Sequence, residues 1–160
     1  MGKTVGSATE PLGWYEAAAL RVLLVDADPD TLEMYSEWLR LAGLVPFSAM
    51  TTQQALYAVR TYRPHAIVSD IQLQRRFDGL ELMQQILNDQ SFSDTPILAL
   101  TGFESPEYRA QAERAGCTAF LLKPCEPERL VSALVRALEK SAQRRRSWRQ
   151  DSSRTRARPI

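Results

Sequence analysis

Short apolar runs and longer amphipathic stretches take turns along the middle of this chain. Residues 22–25 are apolar without alternation, the pattern of a strand covered on both faces. In residues 31–42, Leu32, Tyr35, Trp38, Leu39 and Ala42 recur at helical spacing, and Gly43 ends the helix. A second short strand is predicted over 44–47. Pro46 cannot donate a ladder hydrogen bond, so this strand belongs at a sheet edge. Thr51 and Gln54 form a capping-box pattern for a helix that runs to Tyr62 and is closed by Pro64. A third strand over 66–69 ends at Asp70. A helix over 79–88 follows, with Leu80, Met83 and Leu87 in register. A fourth strand over 96–100 ends at Thr101. Ser105 and Pro106 then suit the N-cap and first turn of a helix reaching Ala115, with Gly116 after it. A fifth strand over 118–122 ends at Lys123-Pro124, and Pro127 opens a last helix striped by Leu130, Leu134, Ala137 and Leu138.

Five strands alternating with five helices predict an α/β fold, a parallel sheet with helices on both faces. In open sheets of this kind ligands gather at the carboxyl ends of the strands. Those ends carry Asp26, Asp70, Thr101 and Lys123. Paired carboxylates suit a hard cation such as Mg²⁺, and a carboxylate beside such a cation can serve as a nucleophile. A hydroxyl and an ammonium complete a set fitted to the oxygens of a transferring phosphoryl group. Each residue also has a plainer role. Asp28 before Pro29 suits a helix cap, Asp70 and Thr101 suit turns, and a single lysine suits the solvated surface.

Charge divides the chain. Of 160 residues with net charge +1, the last twenty hold seven arginines against Asp151 alone, leaving the first 140 acidic. Residues 1–19 read as a flexible leader, with a short helix over WYEAAAL; 20–140 read as the folded domain; 141–160 read as a basic, disordered tail. No run approaches a membrane span, and the leader lacks the apolar centre of a secretion signal, so the expected location is cytoplasmic. Cys117 and Cys125 have no metal-ligand spacing and read as free thiols. The single histidine, His65, reads as a surface residue. The arginine-rich tail with Trp148 could in principle meet phosphates, but no nucleic-acid-binding motif accompanies it, so no nucleic-acid partner is expected.

The motifs RVLLVDADPD, AIVSDIQLQRRFDGLEL, PILALTG and AFLLKPCEPERL, in that order, closely resemble the receiver domain of two-component response regulators over residues 20–140. The resemblance implies a flavodoxin-like, doubly wound sheet of order 2-1-3-4-5. It makes Asp70 the acceptor of a phosphoryl group from a histidine kinase or phosphotransfer protein, with Thr101 the switch hydroxyl and Lys123 the phosphate-pairing cation, followed by a cis proline. Mg²⁺ would be held by Asp26, Asp70 and the backbone carbonyl of Gln72, with Asp28 a weaker addition. Phe120 matches the rotating aromatic that reports to the face of the fourth helix, fifth strand and fifth helix, where a downstream protein or a second copy would bind. Such a protein is a switch rather than an enzyme. Gln72 and Phe103 would flank the acyl phosphate and tune its lifetime.

Two departures stand out. The family's second acidic residue after the first strand is Ala27 here, and the loop after Asp70 reads Gln74-Arg75-Arg76 with one extra residue before Asp78-Gly79. The alternative function is therefore a pseudo-receiver that binds partners without phosphorylation.

Overall fold

The computed structural model describes residues 19–75, 78–103 and 105–155. The leader and its WYEAAAL helix, apart from Ala19 and Leu20, lie outside the described residues. So do Arg76, Phe77, Glu104 and residues 156–160.

The elements follow in order β1 (Arg21–Val25), α1 (Pro29–Leu41), β2 (Val45–Ala49), α2 (Thr52–Tyr62), β3 (Ala66–Ser69), α3 (Asp78–Asn88), β4 (Ile97–Thr101), α4 (Pro106–Ala115), β5 (Ala119–Leu122) and α5 (Pro127–Thr155). All strand pairs are parallel, in the order β2-β1-β3-β4-β5, so the sheet is the doubly wound, flavodoxin-like one expected. β2 pairs only with β1, which places Pro46 on an edge strand as its missing N–H requires. β2 lies further along the chain than the apolar pattern suggests, because pairing with Arg21–Val25 extends it through Ser48 and Ala49.

Two cores sandwich the sheet. Val22, Leu24, Val68, Leu98 and Leu100 pack on one side with α1 and α5, through Leu32, Leu39, Leu130 and Leu134. Leu23, Val25, Ile67, Ile97 and Ala99 pack on the other with α2, α3 and α4, through Ala55, Leu82, Met83 and Ala112. Alternate residues of one strand serve opposite cores, which is why β1, β3 and β4 read as unbroken apolar runs.

Helix ends carry the predicted chemistry. Asp28 caps α1, accepting from the Asp30 and Thr31 N–H groups, with Pro29 in the first turn. Thr51 caps α2 through the Gln54 N–H at 3.1 Å. The Gln54 side chain returns to Met50 N–H at 2.9 Å, one residue earlier than a capping box would have it. Gly116 closes α4 at φ +102°, a left-handed conformation glycine adopts without penalty.

The C-terminal segment corrects the sequence reading. Residues 141–155 continue α5 as helix rather than a disordered tail. Low apolar content rules out a buried helix but not a solvated one. Arg, Gln and Ala are good helix formers, and neither Gly nor Pro occurs between Glu128 and Thr155. The packed first half has already met the cost of nucleation, so each further residue need only propagate. α5 stays docked as far as Ser141, which is 2% exposed and donates its hydroxyl to the Asp94 carbonyl at 3.0 Å. Beyond it, residues 143–150 are exposed and the helix projects roughly 21 Å past that anchor at the standard rise. Among the described residues no helix is long and apolar enough to cross a membrane.

Truncation after Ala142 should remove helical signal from the far-ultraviolet circular dichroism spectrum. It should change unfolding free energy in urea by less than about 0.5 kcal/mol, as for other changes to exposed positions.

Candidate functional site

Sheet register brings the first two carboxylates together. β1 and β3 pair Val25 with Ser69, so the next residues, Asp26 and Asp70, leave adjacent strands side by side. Their backbones stay in the ladder pattern: Asp70 N–H donates to Val25 carbonyl at 2.9 Å, and Asp26 N–H to Ala49 carbonyl at 3.1 Å. At the other end of the rim, Lys123 N–H donates to Thr101 carbonyl at 2.8 Å, which fixes where the lysine leaves β5. The Lys123–Pro124 peptide is cis.

From there the Lys123 ammonium reaches across the rim. It donates to Asp70 Oδ2 at 2.9 Å and to Asp26 Oδ2, bridging both acids. Burial alone would lower the lysine's pKa, but the hydrogen bonds to Asp26 and Asp70 outweigh it and raise the pKa above its ordinary value. The ammonium therefore stays charged, leaving one net negative charge among the three groups. The remaining carboxylate oxygens are held by backbone: Asp26 Oδ1 accepts from Asp28 N–H at 2.9 Å and Asp70 Oδ1 from Gln72 N–H at 3.1 Å.

Thr101 ends β4, fully buried, and its hydroxyl oxygen accepts from Phe103 N–H at 3.3 Å. It shares the rim but is tied to its own loop rather than to the bridged acids. Phe103 lies at the lip, half exposed, its ring 5.8 Å from that of Tyr108. Phe120 is part-buried against the α2–α3–α4 core, with the Arg109 guanidinium 5.4 Å from its ring centre. Asp28 is committed to α1, and its pKa is lowered chiefly by the Thr31 hydroxyl. Ala27 is exposed and contributes only a methyl group. The donors that fit a Mg²⁺ ion are thus the two converging carboxylates, with the Gln72 peptide held beside Asp70. That set is small but acceptable for a cation that keeps several waters.

Two residues that sequence reading left without a role hold the loop after Asp70. The Asp78 carboxylate accepts from Leu73 N–H at 2.7 Å and from Gln74 and Arg75 N–H, both at 2.9 Å. Burial raises its pKa, but these backbone donors together prevail and lower it. Gly79 passes directly under the chain: a Cβ there would lie 2.0 Å from the Asp70 carbonyl oxygen and 2.7 Å from Ile71 Cα. The available sequence signal was the Asp-Gly pair itself, an acceptor side chain followed by a residue without one.

Comparisons with known proteins agree with this geometry. The model of the response regulator receiver domain matches residues 22–135. The chain is 31% identical over 114 residues to a 14.6 kDa protein of the sodA1 3′ region of Leptolyngbya boryana, covering 71% of this chain and 86% of that one. It is 32% identical over 124 residues to response regulator Rre1 of Synechocystis, covering 76% of this chain but only 52% of Rre1. Among solved structures, chemotaxis protein CheY4 of Vibrio cholerae superimposes with a TM-score of 0.71 at 32% identity, covering 75% of this chain and 99% of that one.

Asp78→Asn should cost on the order of 1–3 kcal/mol at neutral pH, because it weakens hydrogen bonds to a charged acceptor. The folded-state pKa is depressed below 3.8, so the carboxylate's contribution is present above that value and lost as pH falls through the folded value. Urea unfolding should therefore show the two proteins converging in acid.

Proposed function

Since the chain belongs to the response regulator receiver domain family, we propose that it accepts a phosphoryl group on Asp70 from a histidine kinase or phosphotransfer protein, and that this switches a protein contact. The supporting observation is the bridge from Lys123 to both Asp26 and Asp70 at the carboxyl rim of the sheet. In the transfer, an Asp70 carboxylate oxygen attacks phosphorus, an O–P bond forms, and the bond to the donor's phosphohistidine nitrogen breaks. Asp70 thereby loses its carboxylate charge and gains a phosphoryl group. Lys123 would pair with the new oxygens, and the Thr101 hydroxyl, at the next strand end, would be a second donor to them. Gly79 and Asp78 keep the loop fixed while the bond changes.

A Mg²⁺ ion held by Asp26, Asp70 and the Gln72 carbonyl would supply charge neutralisation of the entering phosphoryl oxygens. The face of α4, β5 and α5, carrying Phe120, is the surface through which the phosphorylated state would meet a downstream protein or a second copy. A cytoplasmic location suits such a partner.

A second reading rests on a specific observation. Ala27 leaves two carboxylates in the pocket, and one lysine already satisfies both. A scaffold that binds partners without phosphorylation would need no more.

Incubation with Mg²⁺ and a small phosphodonor should add one phosphate by intact mass, and Asp70→Asn should abolish the addition. If a cognate kinase and the small donor both leave the native chain unlabelled, the scaffold reading takes its place. Ala27→Asp should tighten Mg²⁺ binding by about tenfold or more in a calorimetric titration, because ligand charge count sets the affinity of such sites.

A further inference from the structure

The opposite end of the sheet carries a second polar cleft, unrelated to Asp70. It lies where the chain enters β3 and β4, and the projecting part of α5 closes its third side. Its volume is about 290 Å³, and its lining includes Arg63, His65, Ser91, Asp94, Thr95 and Arg145. These residues come from three separate segments that only the fold brings together.

The charge in this cleft is unbalanced. Arg63 caps α2 in the left-handed conformation at φ 47°, with its guanidinium 5.5 Å from the Phe92 ring centre. Arg145 enters from α5 one turn beyond Ser141, whose hydroxyl bond to Asp94 fixes the helix at this height. Among the described residues neither guanidinium makes an ion pair, and Asp94 is the one carboxylate in the lining. His65 reports the excess. Its pKa is lowered first by burial, then by the positive charges of Arg21 and Arg145. Its Nδ1 accepts from Arg21 N–H at 3.0 Å, so the neutral ring carries its proton on Nε2 as a donor. The Arg21 guanidinium is engaged with the carbonyls of Tyr62 and Arg63, which steadies the loop beneath.

We propose that this cleft is an anion site for a phosphate group, gripped by Arg63 and Arg145 with His65 as a neutral donor. Guanidinium groups bind phosphate oxygens in a two-pronged geometry that ammonium groups do not reproduce. A bound phosphate would join the root of the α5 projection to the loops before β3 and β4. The phosphate could be free in solution or the headgroup of a lipid, since both present the same oxygens.

His65 is the only histidine in the chain, so its ring resonances need no assignment. The 160-residue chain is titrated with inorganic phosphate, and separately with phosphatidylcholine vesicles carrying phosphatidic acid. Sodium chloride at matched ionic strength is the control. Bound phosphate offsets the neighbouring cations, so the His65 midpoint should rise by about one unit, a tenfold gain in proton affinity, and should saturate. Arg145→Gln and Arg63→Gln, both at exposed positions, should each abolish the response. A shift with phosphate identifies a free ligand; a shift with vesicles alone identifies a headgroup. A response matched by chloride, a response that survives Arg145→Gln, or none in either arm would overturn the site.

Discussion

Two carboxylates leaving neighbouring parallel strands at the same level repel one another, and the register of β1 against β3 gives Asp26 and Asp70 no way to separate. The Lys123 ammonium between them resolves the conflict. Much of the rest of the domain can be understood as what this bridge demands. β5 must lie at the far edge beyond β4 so that the lysine approaches from the side, and its chain must be anchored to Thr101 so that the side chain spans the rim. Because one cation serves two anions, the pocket keeps a residual negative charge.

The loop after Asp70 solves a different problem. A side chain just past a strand end must be held in place by something other than the sheet. Here one carboxylate, Asp78, gathers three successive backbone donors, while Gly79 lets helix α3 come up directly beneath the Asp70 peptide.

Much of this was legible in the sequence because it rests on local chemistry. Unbroken apolar runs marked the strands, since both faces of the sheet are covered. Caps such as Asp28 and Ser105 marked helix starts, and the order of strand ends named Asp26, Asp70, Thr101 and Lys123. What escaped depended on contacts at a distance. No pattern shows that one lysine spans two acids, or that a Cβ on Gly79 would fall 2.0 Å from the Asp70 carbonyl oxygen. The end of β2 was misplaced because edge strands owe their length to a partner. The helical continuation of α5 was missed because composition reports whether a segment can be buried, not whether an adjoining helix will carry it onward.

The docked and projecting parts of α5 form one continuous rod, with its pivot in the domain and its tip in solvent. Such a rod is a lever. A tilt of about ten degrees about Ser141 would sweep the far end through roughly 4 Å at the length given by the standard rise. Any change in how the base of α5 docks would therefore be largest at its far end.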